Sequence, residues 1–457
     1  MREAPLDELA DGLTFGAIST DIGVLGEWRT DAAYLDSDGG PLCVVHAECV
    51  DDVVATMRWA TRHRVPVVPR GAGTGLAGGA LAGPGSVVLA LERMAAIGEL
   101  SFDDQLAVVE PGVITADLAR AADEQGLNYP VDPGSAARST LGGNIATNAG
   151  GFRCLHYGVT RDQVLGLEVV LPDGRLVRTG HRTAKGVTGY DLTSLFVGSE
   201  GTLGVVTGAT LRLRHKERGL RATVAARFPT IEAAARVPQE LARAGVRPSL
   251  LELIDEVTVR ALRARSEPHR MLAEEGALLL GQFEGEDARR ATDGMRRVCD
   301  LLGAAEVEVT QDPAESDSLL DIRRRALGAV EHGGRAVVED FVVPRSRIGE
   351  MLLEIRRIAE EHGVLIATVA HAGDANLHPA LVFDRAEPEI PDGIWAAADD
   401  MFRAALRLGG TLTGEHGVGL LKKRWLADEL GANGLQVHHA VKRALDPLGI
   451  MNPGKIL

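Results

Sequence analysis

Cysteine is scarce in this sequence. There are four, Cys43, Cys49, Cys154 and Cys299, none in a CxxC pair and none clustered. The chain therefore encodes neither an iron-sulfur centre nor a thiolate zinc site of its own, and its thiols suit a reducing cytosol. An excess of basic charge is also missing: 64 acidic against 49 basic residues leave a net charge of -15, which gives no support to a nucleic-acid or polybasic membrane-surface role and leaves room only for local basic pockets. No apolar run reaches the roughly 18 residues of a membrane span. The N-terminal stretch MREAPLDELADGL is acidic and lacks the apolar core of a secretion signal. A cytoplasmic location is expected, with peripheral attachment to a membrane as the variant. Aromatic residues make up only 4%.

Glycine is what the chain has in excess, 54 in 457 residues against an average of about 7%. The glycines concentrate between Gly71 and Gly204, where backbone is expected to approach a ligand closely. At roughly 150 residues per domain the length predicts two or three domains, with a boundary expected in the charged stretch HKERG, residues 215–219. In the first segment, a helix from Asp51, the buried strand PVVP, the strands SVVLAL and LAVVEPGV, and a helix capped by Thr115 are read from periodicity. Asp173-Gly174 marks a hairpin in LGLEVVLPDGRLVRTG. The middle segment alternates strands with long helices: GALLLGQFEG, a helix over EDARRATDGMRRVCDLLG, AAEVEV, a helix over residues 318–330, AVVEDFVVP, a helix over RIGEMLLEIRRIAEEHG, and VLIATVAH. That order predicts an α+β layer with an antiparallel sheet covered by helices on one face. The terminal DPLGIMNPGKIL is too rich in proline and glycine for a regular element.

Three glycine-rich stretches carry the chemistry. PRGAGTGL contains a literal GxGxxG at Gly73, Gly75 and Gly78, yet ALAGPGS follows where a dinucleotide fingerprint requires a helix. An NAD fold is therefore rejected. Successive amides of such a turn can still cradle a pyrophosphate, although a loop that merely turns the chain reads alike. DPGSAARSTLGGNIATNAGG and FVGSEGTLGVVT pack small, amide and hydroxyl residues without period, and three such stretches fit an elongated cofactor better than a lone phosphate.

Together with HAGDANLH, GEHGVG and DPLGIMNPGK, these stretches resemble the FAD-linked oxidases of the vanillyl-alcohol-oxidase/p-cresol-methylhydroxylase fold. The resemblance is to their D-2-hydroxy-acid dehydrogenase branch, which includes the glycolate oxidase flavin subunit, D-lactate dehydrogenases and D-2-hydroxyglutarate dehydrogenase. It implies an FAD-binding domain over 1–218, a cap or substrate domain over 219–404, and a segment over 405–457 that returns to the FAD domain. FAD is then expected on Pro69, Arg70, Gly71, Ala72, Gly73, Thr74, Gly75 and Leu76; on Pro133, Gly134, Ser139, Gly142, Gly143, Thr147 and Asn148; and on Glu200, Gly201, Val205 and Asn452. Arg70 would add charge at the pyrophosphate, and Val205 would pair with adenine through its backbone. The first loop has no histidine to carry a covalent flavin, so noncovalent FAD is expected.

In HAGDANLH a four-residue loop Gly373–Asn376 would set Ala372 against Leu377 and His371 directly across from His378. By spacing alone the two imidazoles are equally a metal pair or a hydrogen-bonded polar pair. The resemblance implies a divalent metal, zinc expected, on His371, His378 and Glu415, with His416 as general base. Ala375 stands where the branch usually has glycine, which disfavours a positive φ there. A metal-chelated α-hydroxyl loses its proton more readily, and His416 could accept it as hydride leaves Cα for flavin N5.

Arg323 falls at the position of a substrate-carboxylate arginine in the family pattern, with a solvated helix face as its alternative. Lys422, Lys423 and Arg424 read as a solvated face. Val338 replaces the lysine of the hydroxyglutarate enzymes, which favours a monocarboxylic acid. The expected function is thus FAD-dependent oxidation of a small anionic D-2-hydroxy acid, lactate- or glycolate-like, to the 2-oxo acid. Quinone, electron-transfer flavoprotein, cytochrome and oxygen all stay open as acceptors. The alternatives are a flavin-bound transferase resembling alkyl-dihydroxyacetone-phosphate synthase, and the flavin subunit of a complex with an iron-sulfur partner.

Overall fold

The computed structural model describes residues 5–33, 35, 39–183, 185–217, 219–265, 269–272 and 274–457. The first four residues of the acidic N-terminus and Arg218, at an expected boundary, lie outside the described residues. Contacts divide the chain into two compact units, Met1–Gly151 with Gly158–Lys216 and Glu415–Leu457, and Phe152–Tyr157 with Glu217–Gly414. The contact boundaries at 216/217 and 414/415 stand beside those expected at 218/219 and 404/405. The helix Asp392–Arg407 lies wholly within the second unit.

In the first unit, β1 (Ala17–Ser19), β2 (Cys43–His46), β3 (Val67–Arg70) and β4 (Val87–Ala90) form a sheet in the order β1-β2-β4-β3. β2, β4 and β3 run parallel and β1 is antiparallel. Their short valine-rich runs, such as CVVH and VVLA, are apolar on both faces, as strands covered on two sides must be. β5 (Ile97–Ser101), β6 (Leu106–Val109), β8 (Val164–Val170), β9 (Leu176–Gly180) and β10 (Val205–Arg212) make an antiparallel sheet ordered β5-β6-β10-β8-β9. β7 (Leu127–Asn128) and β11 (Arg214–His215) pair separately. Gly174, with φ 80°, turns β8 into β9 as the Asp-Gly pair predicts. The helix after the second glycine stretch spans Leu141–Thr147. The helix expected to be capped by Thr115 spans Thr115–Glu124, but its N-cap is Ile114; the Thr115 hydroxyl bonds Ser139 instead. The chain's tail returns to the edge of β3, where Met451 bridges Val67 in parallel and the Asn452 N–H donates to the Val67 carbonyl at 2.8 Å.

The second unit is built on an eight-stranded antiparallel sheet. Its strands are β12 (Leu220–Phe228), β13 (Leu250–Ile254), β14 (Ala277–Gly285), β15 (Glu306–Thr310), β16 (Arg335–Val338), β17 (Phe341–Val342), β18 (Leu365–His371) and β19 (Asn376–Phe383). The order is β15-β12-β14-β13-β18-β19-β16, with β17 also on β19. Helices cover both faces, not the single face expected. A Cβ on Gly281 would meet Met295 of the helix Ala288–Leu301, whereas its neighbour Gln282 bonds Ser316 of the helix Pro313–Arg324 on the other side. Adjacent strand residues point to opposite faces, and buried runs such as LLLGQF have apolar groups for both. Two expected elements are interrupted. The helix over 318–330 breaks at Arg325, and the strand AVVEDFVVP breaks at Glu339-Asp340.

Candidate active site

In the first unit the three glycine stretches converge. A Cβ on Gly71 would stand 2.1 Å from the Thr140 Oγ1, so the first loop runs against the start of the helix Leu141–Thr147. Gly201 packs on Pro69, and the Gly198 and Glu200 N–H groups donate to the carbonyls of Ile145 and Ala146 at 2.9 and 2.8 Å. The Asn452 amide joins them by donating to the carbonyls of Gly79 and Glu200 at 2.8 and 2.7 Å.

Several side chains expected on FAD are committed to the protein. Arg70 is buried, donates to the carbonyls of Trp28, Thr30 and Ala80, and lies 5.3 Å over the Trp28 ring. Its guanidinium props the loop at Gly73 from beneath. Ser139 bonds Thr115, the Thr147 hydroxyl donates to the Gly143 carbonyl, and Asn148 Oδ1 accepts from the Arg161 N–H. The Glu200 carboxylate accepts from Val418 and Gly419 at 2.7 and 2.8 Å.

What faces a ligand there is backbone. Ideal Cβ atoms on Gly75 and Gly134 would meet nothing within 4 Å, while Asn452 Oδ1 is buried without a hydrogen-bond partner among the described residues. β6 joins β10 only from Ala209 to Arg212, so the second edge of β10 is not held by β6 at Val205. Open glycine backbone, a buried amide oxygen and a strand edge fit an extended dinucleotide.

In the second unit the hairpin of HAGDANLH forms with a register different from the expected one. The turn is Ala372–Ala375; His371 pairs with Asn376 and His378 pairs with Val369. The histidines are diagonal neighbours on one face, and their rings stand 5.1 Å apart at 82°. Contrary to expectation, Ala375 takes a left-handed φ of 61° as the last residue of the turn. An alanine pays for this in strain of roughly 1–2 kcal/mol.

His371 is positioned from behind. Glu252, its cross-strand partner on β13 and fully buried, accepts from Nδ1 at 2.6 Å, which turns Nε2 outward. The other Glu252 oxygen accepts from Arg323 Nε at 2.8 Å, and Arg323 lies 5.4 Å over the Phe152 ring, which meets His371 edge-on. Arg323 is therefore half-buried against Glu252 and Phe152 and not on a solvated face. His378 has the buried Asp340 at 3.9 Å from Nδ1. Asp340 Oδ2 accepts from Thr413 Oγ1 and the Gly414 N–H at 2.6 and 2.9 Å, immediately before Glu415. Two imidazoles at this spacing on one face of the sheet can share a divalent metal. Glu415, the third expected ligand, follows Gly414 at the start of the segment that belongs to the first unit.

His416 follows on an irregular, half-buried loop. Lys422 corrects the expectation of a solvated basic face: it is fully buried, and its charge acts on Glu200. No motif or spacing in the sequence marks Glu252, Asp340 or Phe152 as site residues. A lone carboxylate inside the apolar strand LLELI is the signal that could have found Glu252.

Comparison with known proteins adds the following. A family model described as FAD linked oxidases, C-terminal domain, matches residues 219–456, and one described as FAD binding domain matches residues 41–180. The chain is 40% identical over 419 residues to glycolate oxidase subunit GlcD of Bacillus subtilis, covering 91% of this chain and 89% of that protein. It is 35% identical over 422 residues to the mitochondrial D-lactate dehydrogenase (cytochrome) of Arabidopsis thaliana, covering 91% and 73%. Among solved structures, p-cresol methylhydroxylase superposes with a TM-score of 0.80 at 17% identity, covering 99% of this chain and 96% of that one. Alkyldihydroxyacetonephosphate synthase gives 0.71 at 17%, covering 95% and 82%.

Proposed function

The chain belongs to the FAD-linked oxidases, in their D-2-hydroxy-acid dehydrogenase branch, and on that premise we propose that it oxidises a small monocarboxylic D-2-hydroxy acid to the 2-oxo acid. The observation that carries this reading is the pair of imidazoles of His371 and His378, their rings 5.1 Å apart on one face of the sheet, with Glu252 behind His371.

When bound, noncovalent FAD supplies the acceptor for the Cα hydrogen and its electron pair, and a divalent metal, zinc in this reading, supplies Lewis acidity at the α-hydroxyl. His371 through Nε2, His378 and Glu415 would hold the metal. Arg323, its Nε fixed by Glu252, would direct the rest of its guanidinium to the substrate carboxylate. The His416 imidazole would take the hydroxyl proton, the part of a general base that a neutral imidazole can play. His416 and Arg323 are thus the proposed catalytic pair.

The face of the sheet that carries His378 supports a monocarboxylic substrate. The next residue on that face of β19 is Ala380, opposite Val338 of β16, and Leu327 packs with them. No cation stands at these three positions for a second carboxylate. The final acceptor is proposed to be a quinone, an electron-transfer flavoprotein, a cytochrome or oxygen, with an iron-sulfur subunit as a candidate partner. Among the described residues no disulfide joins the four cysteines. Likeness to the alkyl-transferring synthase, at 17% identity, is a likeness of fold and does not favour that chemistry.

Anaerobic mixing with D-lactate, glycolate or a longer analogue should bleach the flavin band. Bleaching by none of them would sink the reading. Replacing His371 or His378 with alanine should abolish bleaching while FAD stays bound.

A further inference from the structure

Glu200 sits at a junction inside the first unit. Its backbone is left-handed at φ 50°, its N–H donates to the Ala146 carbonyl at 2.8 Å, and its carbonyl accepts from Asn452 at 2.7 Å. The side chain is held as firmly. One carboxylate oxygen accepts from the Val418 N–H at 2.7 Å and the other from the Gly419 N–H at 2.8 Å. A Cβ on Gly417 would stand 2.9 Å from the first of these oxygens, so the loop crosses the carboxylate immediately after His416.

Resting on the functional reading above, we infer that Glu200 is a positioning residue for His416: its carboxylate clasps the two amides just downstream and so sets the path of the loop that bears the imidazole. The role needs a carboxylate. Both oxygens accept, whereas a glutamine of the same size would offer one oxygen and set its amide N–H groups against a backbone N–H. These are charge-assisted bonds in a buried place, the stronger kind. The cost of burying the charge is visible, since desolvation pushes the carboxyl up to about 7 against the two amides and the neighbouring Lys422. Because its backbone also ends on Ala146, beside the glycines expected to face the flavin, Glu200 ties that helix to the His416 loop through a single residue.

The test combines hydrogen exchange with the reductive half-reaction, on the FAD-loaded full chain. In wild type, the Val418 and Gly419 amides should be protected; unprotected amides there would overturn the clasp without any variant. In Glu200→Gln, FAD content should be unchanged and protection over residues 412–424 should fall. The limiting rate of flavin reduction should drop on the order of tenfold to a hundredfold, with the half-saturating substrate concentration unaltered. Glu200→Asp, which keeps the charge and shortens the reach, should lie between. Loss of FAD with loop protection intact would overturn the inference and return Glu200 to the cofactor, and so would an unchanged rate despite lost protection. If no 2-hydroxy acid reduces the wild type, the functional reading fails and the catalytic part of the inference falls with it, whereas the exchange data report the clasp independently.

Discussion

Glu252 stands directly across from His371 on neighbouring strands and accepts its Nδ1–H at 2.6 Å, while its second oxygen accepts from Arg323 at 2.8 Å. One buried carboxylate thus orients the proposed metal ligand and the proposed substrate cation together. Glu252→Gln can satisfy only one of them. Metal affinity, read by chelator competition, should fall about 10–100-fold, and the half-saturating hydroxy-acid concentration should rise in the same variant. Unaltered metal affinity would show that the imidazole does not depend on this partner.

Val338 and Ala380 face each other beside His378. Val338→Lys would place an ammonium near the substrate tail. The ratio of kcat/KM for a 2-hydroxy diacid over D-lactate should rise by on the order of tenfold or more. An unchanged ratio would mean that the tail lies elsewhere.

Asp255 caps the helix Glu256–Arg263 and also accepts from the Thr368 N–H at 2.7 Å. Burial pushes its carboxyl from 3.8 up to about 6. The folded state therefore keeps a proton that the unfolded chain has already lost. The stability from this group is full below about pH 4 and is withdrawn as pH rises through about 6, by about 3 kcal/mol in all. Asp255→Asn abolishes that dependence. Denaturant unfolding at pH 4.5 and 7 should show the variant comparing better with wild type at pH 7 than at pH 4.5; a parallel pair of curves would contradict the raised value.

Ala375 is buried and left-handed. Ala375→Gly relieves strain of roughly 1–2 kcal/mol but removes a buried methyl worth about 1 kcal/mol and adds freedom to the unfolded chain. Thermal unfolding should place it within about 1 kcal/mol of wild type by that balance. Ala375→Val, β-branched at a positive φ, should cost more than about 2 kcal/mol.

Much of this molecule was legible in its residues because local rules govern it. The turn at Asp173-Gly174, the alternating elements of the second unit and the three glycine stretches follow from periodicity and backbone permissiveness. His371 and His378, marked by motif, meet on one face of their sheet. What stayed hidden depends on distant partners. Arg70 reads as a ligand's counter-charge until Trp28, Thr30 and Ala80 claim it. Lys422 belongs to a basic run that reads as solvated, and only the fold buries it near Glu200. The hairpin register escaped because a left-handed alanine runs against propensity, and Asp340 because a two-residue break in a strand leaves no mark on an apolar alternation.

The diagonal pairing of the two histidines makes the site sensitive to strand register and not to the length of its turn. Side chains alternate along β19 with a period of two, so a one-residue slip of β19 against β18 would carry His378 to the opposite face of the sheet from His371. A residue added within Ala372–Ala375 while the ladder holds leaves both histidines on their strands. Homologous hairpins grafted here should therefore be tolerated whatever the size of their turn, provided that they keep the pairing of His378 with Val369.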